Sequence, residues 1–239
     1  MLENYVVLDL EMTGLNPKTD KILEVGAVRI RGKEKEAVFS AMIRQKRELP
    51  ERVTELTGIT NEMAAAGKEE KEVMEQFIAF LGEDVLVGQN LIFDYSFLKQ
   101  WAVNHNLSFE KEAVDTLKLA RKFLPAEQKK DLESLCGYFH VEREHAHRAL
   151  DDALETWQIF EKLKVALEET EPSAFLPKPL QYKVKKQSPA TLRQKRYLEQ
   201  FAAYHGIELP QLPEDLTKSE ASRLTDRLIS KYGKMNSGE

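Results

Sequence analysis

The sequence predicts a mixed α/β sheet with helices on its faces, and three observations predict it. An apolar, β-branched run opens the chain at Tyr5-Val6-Val7-Leu8, and two more such runs follow closely. From about residue 72 onward the apolar spacing is helical. A short, wholly apolar run, Val85-Leu86-Val87-Gly88, interrupts the helical pattern as a buried parallel strand would.

The first strand ends at Thr13-Gly14, before Asn16-Pro17. Ile22 to Ile30 reads as a second strand, Arg31-Gly32-Lys33 as a turn, and Ala37 to Ile43 as a third strand. Strands this closely joined form an antiparallel meander, because a parallel crossover needs about a dozen residues or more. Leu56 to Glu62 reads as a loop, and Thr60 can open a short helix. Glu72 to Gly82 carries Val73, Phe77, Ile78 and Leu81 on one helical stripe. Gln89 to Asp94 turns into a helix with Phe97, Leu98 and Trp101, whose spacing suits a core face. Asp94 stands where an N-cap would, which is one explanation for it. Thr116–Phe123, Leu132–Phe139 and a helix with Leu150, Ala153, Leu154, Trp157 and Phe160 inward complete the α/β part.

Composition narrows the class. The chain has 239 residues, 42% of them hydrophobic, and a net charge of −5. That suffices for one sizeable domain and a small appendage. No apolar run approaches a membrane span, and Met-Leu-Glu-Asn does not open like a secretory signal. Cys136 is the only cysteine, which excludes an internal disulfide and a cysteine-based zinc site. A cytoplasmic setting is expected. The charge is split: residues 171–239 hold 12 Lys/Arg and 8 Asp/Glu, a net of +4, leaving −9 for residues 1–170.

Asp9 and Glu11 are two apart on a strand and project from one face. Carboxylates paired at the end of a central strand are costly to bury without a positive partner, and a hard divalent cation is the usual one. The alternative is a solvated strand end with incidental acids.

Four blocks occur in order: Asp9-Leu-Glu11-Met-Thr-Gly, Leu56-Thr-Gly-Ile-Thr, Gly88-Gln-Asn-Leu-Ile-Phe-Asp94 and His147-Arg-Ala-Leu-Asp-Asp152-Ala. Together they resemble the DEDDh 3′–5′ exonucleases, specifically the proofreading (epsilon) subunit branch of bacterial DNA polymerase III, over residues 3 to about 165. The resemblance implies a ribonuclease H-like fold, three antiparallel strands followed by parallel ones. It implies that Asp9, Glu11, Asp94 and Asp152 bind two divalent ions, Mg²⁺ or Mn²⁺, and that His147 is the general base. Family spacing and the helical wheel both favour Asp152 over Asp151, and spacing to Asp152 favours His147 over His145. Two such ions, about 3.5–4 Å apart, suit phosphodiester hydrolysis, and a neutral imidazole can take the water's proton. The resemblance also sets Thr13, Gly14, Leu15, Leu56, Thr57, Ile59 and Asn90 beside the substrate's 3′ end; turns without such a role are the alternative. Met12 departs from the threonine common in the proofreading branch, and Asp-Leu-Glu-Met-Thr-Gly resembles oligoribonucleases instead.

The domain reading is an exonuclease domain over 1–165, a Pro/Lys-rich linker over 166–187, and a helical module over 188–239. The module holds one helix opening from Ser188 and stopping at Gly206, and another with Thr217 and Glu220 as a capping box. Lys183, Lys185, Lys186, Arg193, Lys195 and Arg196 can meet phosphates; a plain solvated helix surface is the alternative reading, and the favoured one. The expected activity is 3′–5′ hydrolysis of single-stranded or frayed DNA ends, with a polymerase as a partner chain. Trimming of RNA 3′ ends, or a non-catalytic binding role, are the alternatives.

Overall fold

In the computed structural model, residues 2–143 and 147–235 are described. They form two compact units, the first of residues up to 102 and 108–184, the second of residues 103–107 and from 185 onward.

The first unit is built on one six-stranded sheet. Strands β1 (Tyr5–Met12), β2 (Ile22–Arg31) and β3 (Glu34–Met42) pair antiparallel; β4 (Leu86–Gly88) and β5 (Glu112–Asp115) add in parallel on the other side of β1. β6 (Lys178–Pro179) pairs antiparallel with β5, giving the order β3-β2-β1-β4-β5-β6. This is the mixed sheet that the meander and the later apolar run predict, and it has the ribonuclease H-like form that the resemblance implies.

Alternation along β1 divides the core. Val6, Leu8 and Leu10 face one layer, packed with Val73, Met74, Phe77 and Leu81 of α3 (Glu70–Leu81) and with Tyr95 and Leu98 of α4 (Ile92–Asn104). Tyr5 and Val7 face the other, with Ile159, Phe160 and Leu163 of α7 (Ala149–Leu167). By the same alternation Asp9 and Glu11 lie on the α7 side. The helices α5 (Thr116–Phe123) and α6 (Leu132–Phe139) pack on that side through Leu119 and Leu135.

Several expectations change. Glu51–Thr57 is a helix, α1, which takes in Leu56 and Thr57 from the start of the expected loop, and α2 (Asn61–Ala66) follows it, capped by the Thr60 hydroxyl as expected. The third strand starts at Glu34, three residues early. The segment 166–187 is not a uniform linker. Phe175 and Leu180 are buried, Pro172–Phe175 is a 3₁₀ turn, and Leu180 donates its N–H to the Lys111 carbonyl at 2.8 Å. Burying two large apolar groups docks a segment whose prolines suggest an extended spacer.

In the second unit α8 (Leu192–His205) and α9 (Lys218–Tyr232) share a core of Leu198, Phe201, Leu216, Ala221, Leu224 and Leu228. The expected Thr217/Glu220 capping box is present, and Thr191/Gln194 makes a second. α8 therefore starts at Leu192, not Ser188. Ser188 and Ala190 instead bond to Lys218 and Leu216, joining the starts of both helices.

Candidate active site

The site forms where β1 runs out beneath the N-terminus of α7. Asp9 pairs across the sheet with Gly26, and Glu11 with Glu24. Gly26 is what lets α7 approach: a Cβ there would stand 2.2 Å from the Ala149 carbonyl carbon and the Leu150 nitrogen. The helix therefore lies on the strand at backbone contact, and its first turn carries Asp152 to the acids of β1.

Glu11, His147 and Asp152 each offer a ligand atom within 4.8 Å of the others. Asp152 is buried while Asp151 is half-exposed, as the helical wheel predicts. His147 has φ of +60°, an uncommon conformation for a residue with a Cβ. His145 lies outside the described residues.

Asp94 is not an N-cap. It sits inside the first turn of α4, and its Oδ1 accepts the Leu10 N–H at 3.1 Å. The carboxylate is thus held on β1, next to Asp9.

The electrostatics follow from this crowding. Burial pushes Asp9 well above the carboxylate range, and Asp94, Asp152, Glu11 and Glu24 push it further. Glu11 is raised to about 8 by burial, then by Asp152, Glu24 and Asp94, with Arg148 working against them. Asp94 reaches about 8 through burial, despite its backbone hydrogen bonds. Asp152 is raised by burial, against which Arg143 and then His147 act. The two arginines at the site are each paired with acids. Arg143 pairs with Asp152 at 2.9 Å and with Glu155 at 3.2 Å, and Arg148 pairs with Glu24 at 2.8 Å. Four acids converging in this way, with an imidazole beside them, make an oxygen-rich donor set that fits hard divalent cations.

The secondary residues divide. Gly14 fits a turn in which a Cβ would meet the Asp20 carboxylate at 2.4 Å, and Thr13 Oγ1 accepts the Lys21 N–H at 2.9 Å. Leu15 and Leu56 are exposed apolar groups, at 81% and 61%. Asn90 takes φ of +58° and donates its N–H to Asp115. Thr57 and Ile59 turn their side chains inward. Thr57 Oγ1 donates to the Val53 carbonyl, and Ile59 is fully buried beside Leu23, Leu49 and Val53. Phe97 and Trp101 belong to the core, as expected.

Glu24, Arg143 and Glu155 went unread in the sequence. Glu24 carries a usable signal, an acid inside the apolar run Ile22-Leu23-Glu24-Val25. Arg143 and Glu155 carry none, since each resembles an ordinary surface charge.

A ribonuclease H-like sheet with four acids and a histidine gathered at one strand end is the arrangement that the resemblance to DEDDh 3′–5′ exonucleases implies. The chain belongs to the Exonuclease family, whose model matches residues 6–160. The DNA polymerase III subunit epsilon of Aquifex aeolicus is 34% identical over 160 residues, which are 66% of this chain and 79% of that one. The PolC-type DNA polymerase III of Thermotoga maritima is 38% identical over 157 residues, 65% of this chain but only 11% of that protein. The nuclease domain of 3′hExo, a DEDDh family member bound to rAMP, shares the fold with a TM-score of 0.60 at 19% identity, over 74% of this chain and 96% of that one. So does the zinc-bound Escherichia coli ExoI–ssDNA complex, with a TM-score of 0.61 at 18% identity, over 70% and 41%. No described helix is long and apolar enough to cross a membrane.

Proposed function

We propose that this chain hydrolyses the terminal phosphodiester bond at 3′ ends of single-stranded or frayed DNA, releasing nucleoside 5′-monophosphates. The observation that carries this reading is the meeting of Glu11, His147 and Asp152 within 4.8 Å at the end of β1, where Asp9 and Asp94 also converge. Asp9, Glu11, Asp94 and Asp152 would hold two divalent ions, Mg²⁺ or Mn²⁺. Such ions supply positive charge for the phosphoryl oxygens and the leaving 3′-oxygen. His147 takes a proton from the attacking water through an imidazole nitrogen. The exposed side chains of Leu15 and Leu56 offer apolar surface to the terminal base, and the turn at Thr13 and Gly14 borders it. Similarity to an epsilon subunit supports proofreading or repair beside a polymerase. Five cations between Lys185 and Arg196, with no acid among them, would engage phosphates further along the strand.

The test uses strands labelled at the 5′ or the 3′ end, as DNA and as RNA, with Mg²⁺ or Mn²⁺. The expected result is a ladder shortening from the 3′ end, faster on DNA. His147→Ala should slow it roughly 10²–10⁴-fold while Mn²⁺ binding persists in calorimetry. Shortening from the 5′ end or internal cuts would overturn the reading. Faster turnover of RNA would move the substrate to oligoribonucleotides, the alternative that Met12 favours.

A further inference from the structure

Glu24 is 3% exposed near the start of β2, and its register partner across the sheet is Glu11. Like charges facing each other on adjacent strands destabilise a sheet, and a buried carboxylate costs more than an apolar residue of the same size. Packing alone therefore does not account for an acid at this position.

What the carboxylate holds does account for it. It accepts three N–H bonds from the entrance to α7: Arg148 Nη2 at 2.8 Å, Arg148 Nε at 3.1 Å and the Ala149 amide at 3.1 Å. The Ala149 amide is one of the donors that a helix leaves unpaired in its first turn. The cap residue Arg148 makes no side-chain bond to that turn, so a strand residue does so in its place. The negative charge also complements the positive end of the helix. From there the connections run directly into the site. The Asp152 amide donates to the Arg148 carbonyl at 2.9 Å, and His147 immediately precedes Arg148. Gly26, two residues along the strand, sets how close α7 comes, while Glu24 sets how its first turn is aimed.

We infer that Glu24 is a positioning residue, fixing the first turn of α7 and through it the places of His147 and Asp152 opposite Glu11. This rests on the reading of Glu11, His147 and Asp152 as the working groups of the site.

The test compares the full chain with Glu24→Gln, each checked for fold by circular dichroism and melting. Glutamine keeps the size but presents an NH₂ to donors. Residues that orient metal ligands typically change affinity or activity about 10–100-fold when altered. Mn²⁺ affinity by calorimetry should fall about 10-fold or more, and kcat with it, while KM for a DNA strand stays within about twofold. Arg148→Gln leaves the bond to Ala149 and should show the same pattern more weakly, so it serves if Glu24→Gln does not fold. A folded Glu24→Gln with only its melting temperature lowered, and Mn²⁺ affinity and kcat unchanged, would overturn the positioning role. A wild-type chain that takes up no Mn²⁺ and cuts no strand gives a different pattern, which overturns the reading of the site and this inference together.

Discussion

Asp94 accepts the backbone N–H of Leu10 at 3.1 Å, linking α4 to β1 across 84 residues of sequence. The same carboxylate thus serves the fold and faces Asp9. Asparagine can keep the bond without the charge. Asp94→Asn should therefore melt no lower than wild type, yet lose hydrolysis and Mn²⁺ uptake. Asp94→Leu leaves a buried donor unpaired and should lose about 1–3 kcal/mol. Equal destabilisation by both variants, measured by thermal melting, would show that the charge itself holds α4.

The two neighbouring aspartates of α7 should behave in opposite ways. Asp152→Ala removes a buried member of the cluster and should abolish cleavage with the fold retained. Asp151→Ala, at a half-exposed position, should leave cleavage of a labelled strand within about threefold of wild type. An inactive Asp151 variant beside an active Asp152 variant would contradict the assignment.

Stability without metal should fall as pH rises. The folded-state pKa values of Glu11 and Asp94 lie at about 8, above their ordinary 4.5 and 3.8. Between about 4 and 8 the folded chain thus binds more protons than the unfolded one, and stability declines across that window. Melting in EDTA should show this decline, Glu11→Gln should flatten it, and Mg²⁺ should reverse it by occupying the deprotonated cluster. A melting temperature that rises from pH 5 to pH 8 in EDTA would contradict the crowding of these acids.

Removing residues 185–239 should spare turnover of dinucleotides and weaken binding of a strand of about 20 nucleotides. The lost cations should also make the affinity of the truncated protein less dependent on salt. Salt slopes measured by fluorescence anisotropy for both forms decide it. Equal slopes would point the second unit toward a protein partner.

Much of this was legible because the signals were local. Asp9 and Glu11 announce themselves by strand alternation, Asp152 by the helical wheel, and α9 by the Thr217/Glu220 box. The losses were non-local. β5 has only Ala113 and Val114 as an apolar signal, and it becomes a strand through pairing with β4 and β6. Phe175 and Leu180 sit among prolines that suggest a spacer, and the core claims them anyway. Thr57 and Ile59 look like loop residues until α1 is recognised, although Pro50 before it and Gly58 after it frame a helix. Glu24 required knowing which helix would lie across β2.

The parts of the site are far apart along the chain: residues 9 and 11, then 94, then 147 and 152, with Gly26 and Glu24 as the seat for the last of them. A polypeptide emerging from the ribosome therefore carries its first acids long before it can use them. Cleavage competence arrives only when α7 has been made and has settled on β2. A chain that stops short of residue 149 then lacks both Asp152 and the helix that carries it, and on the proposed reading it cannot cleave.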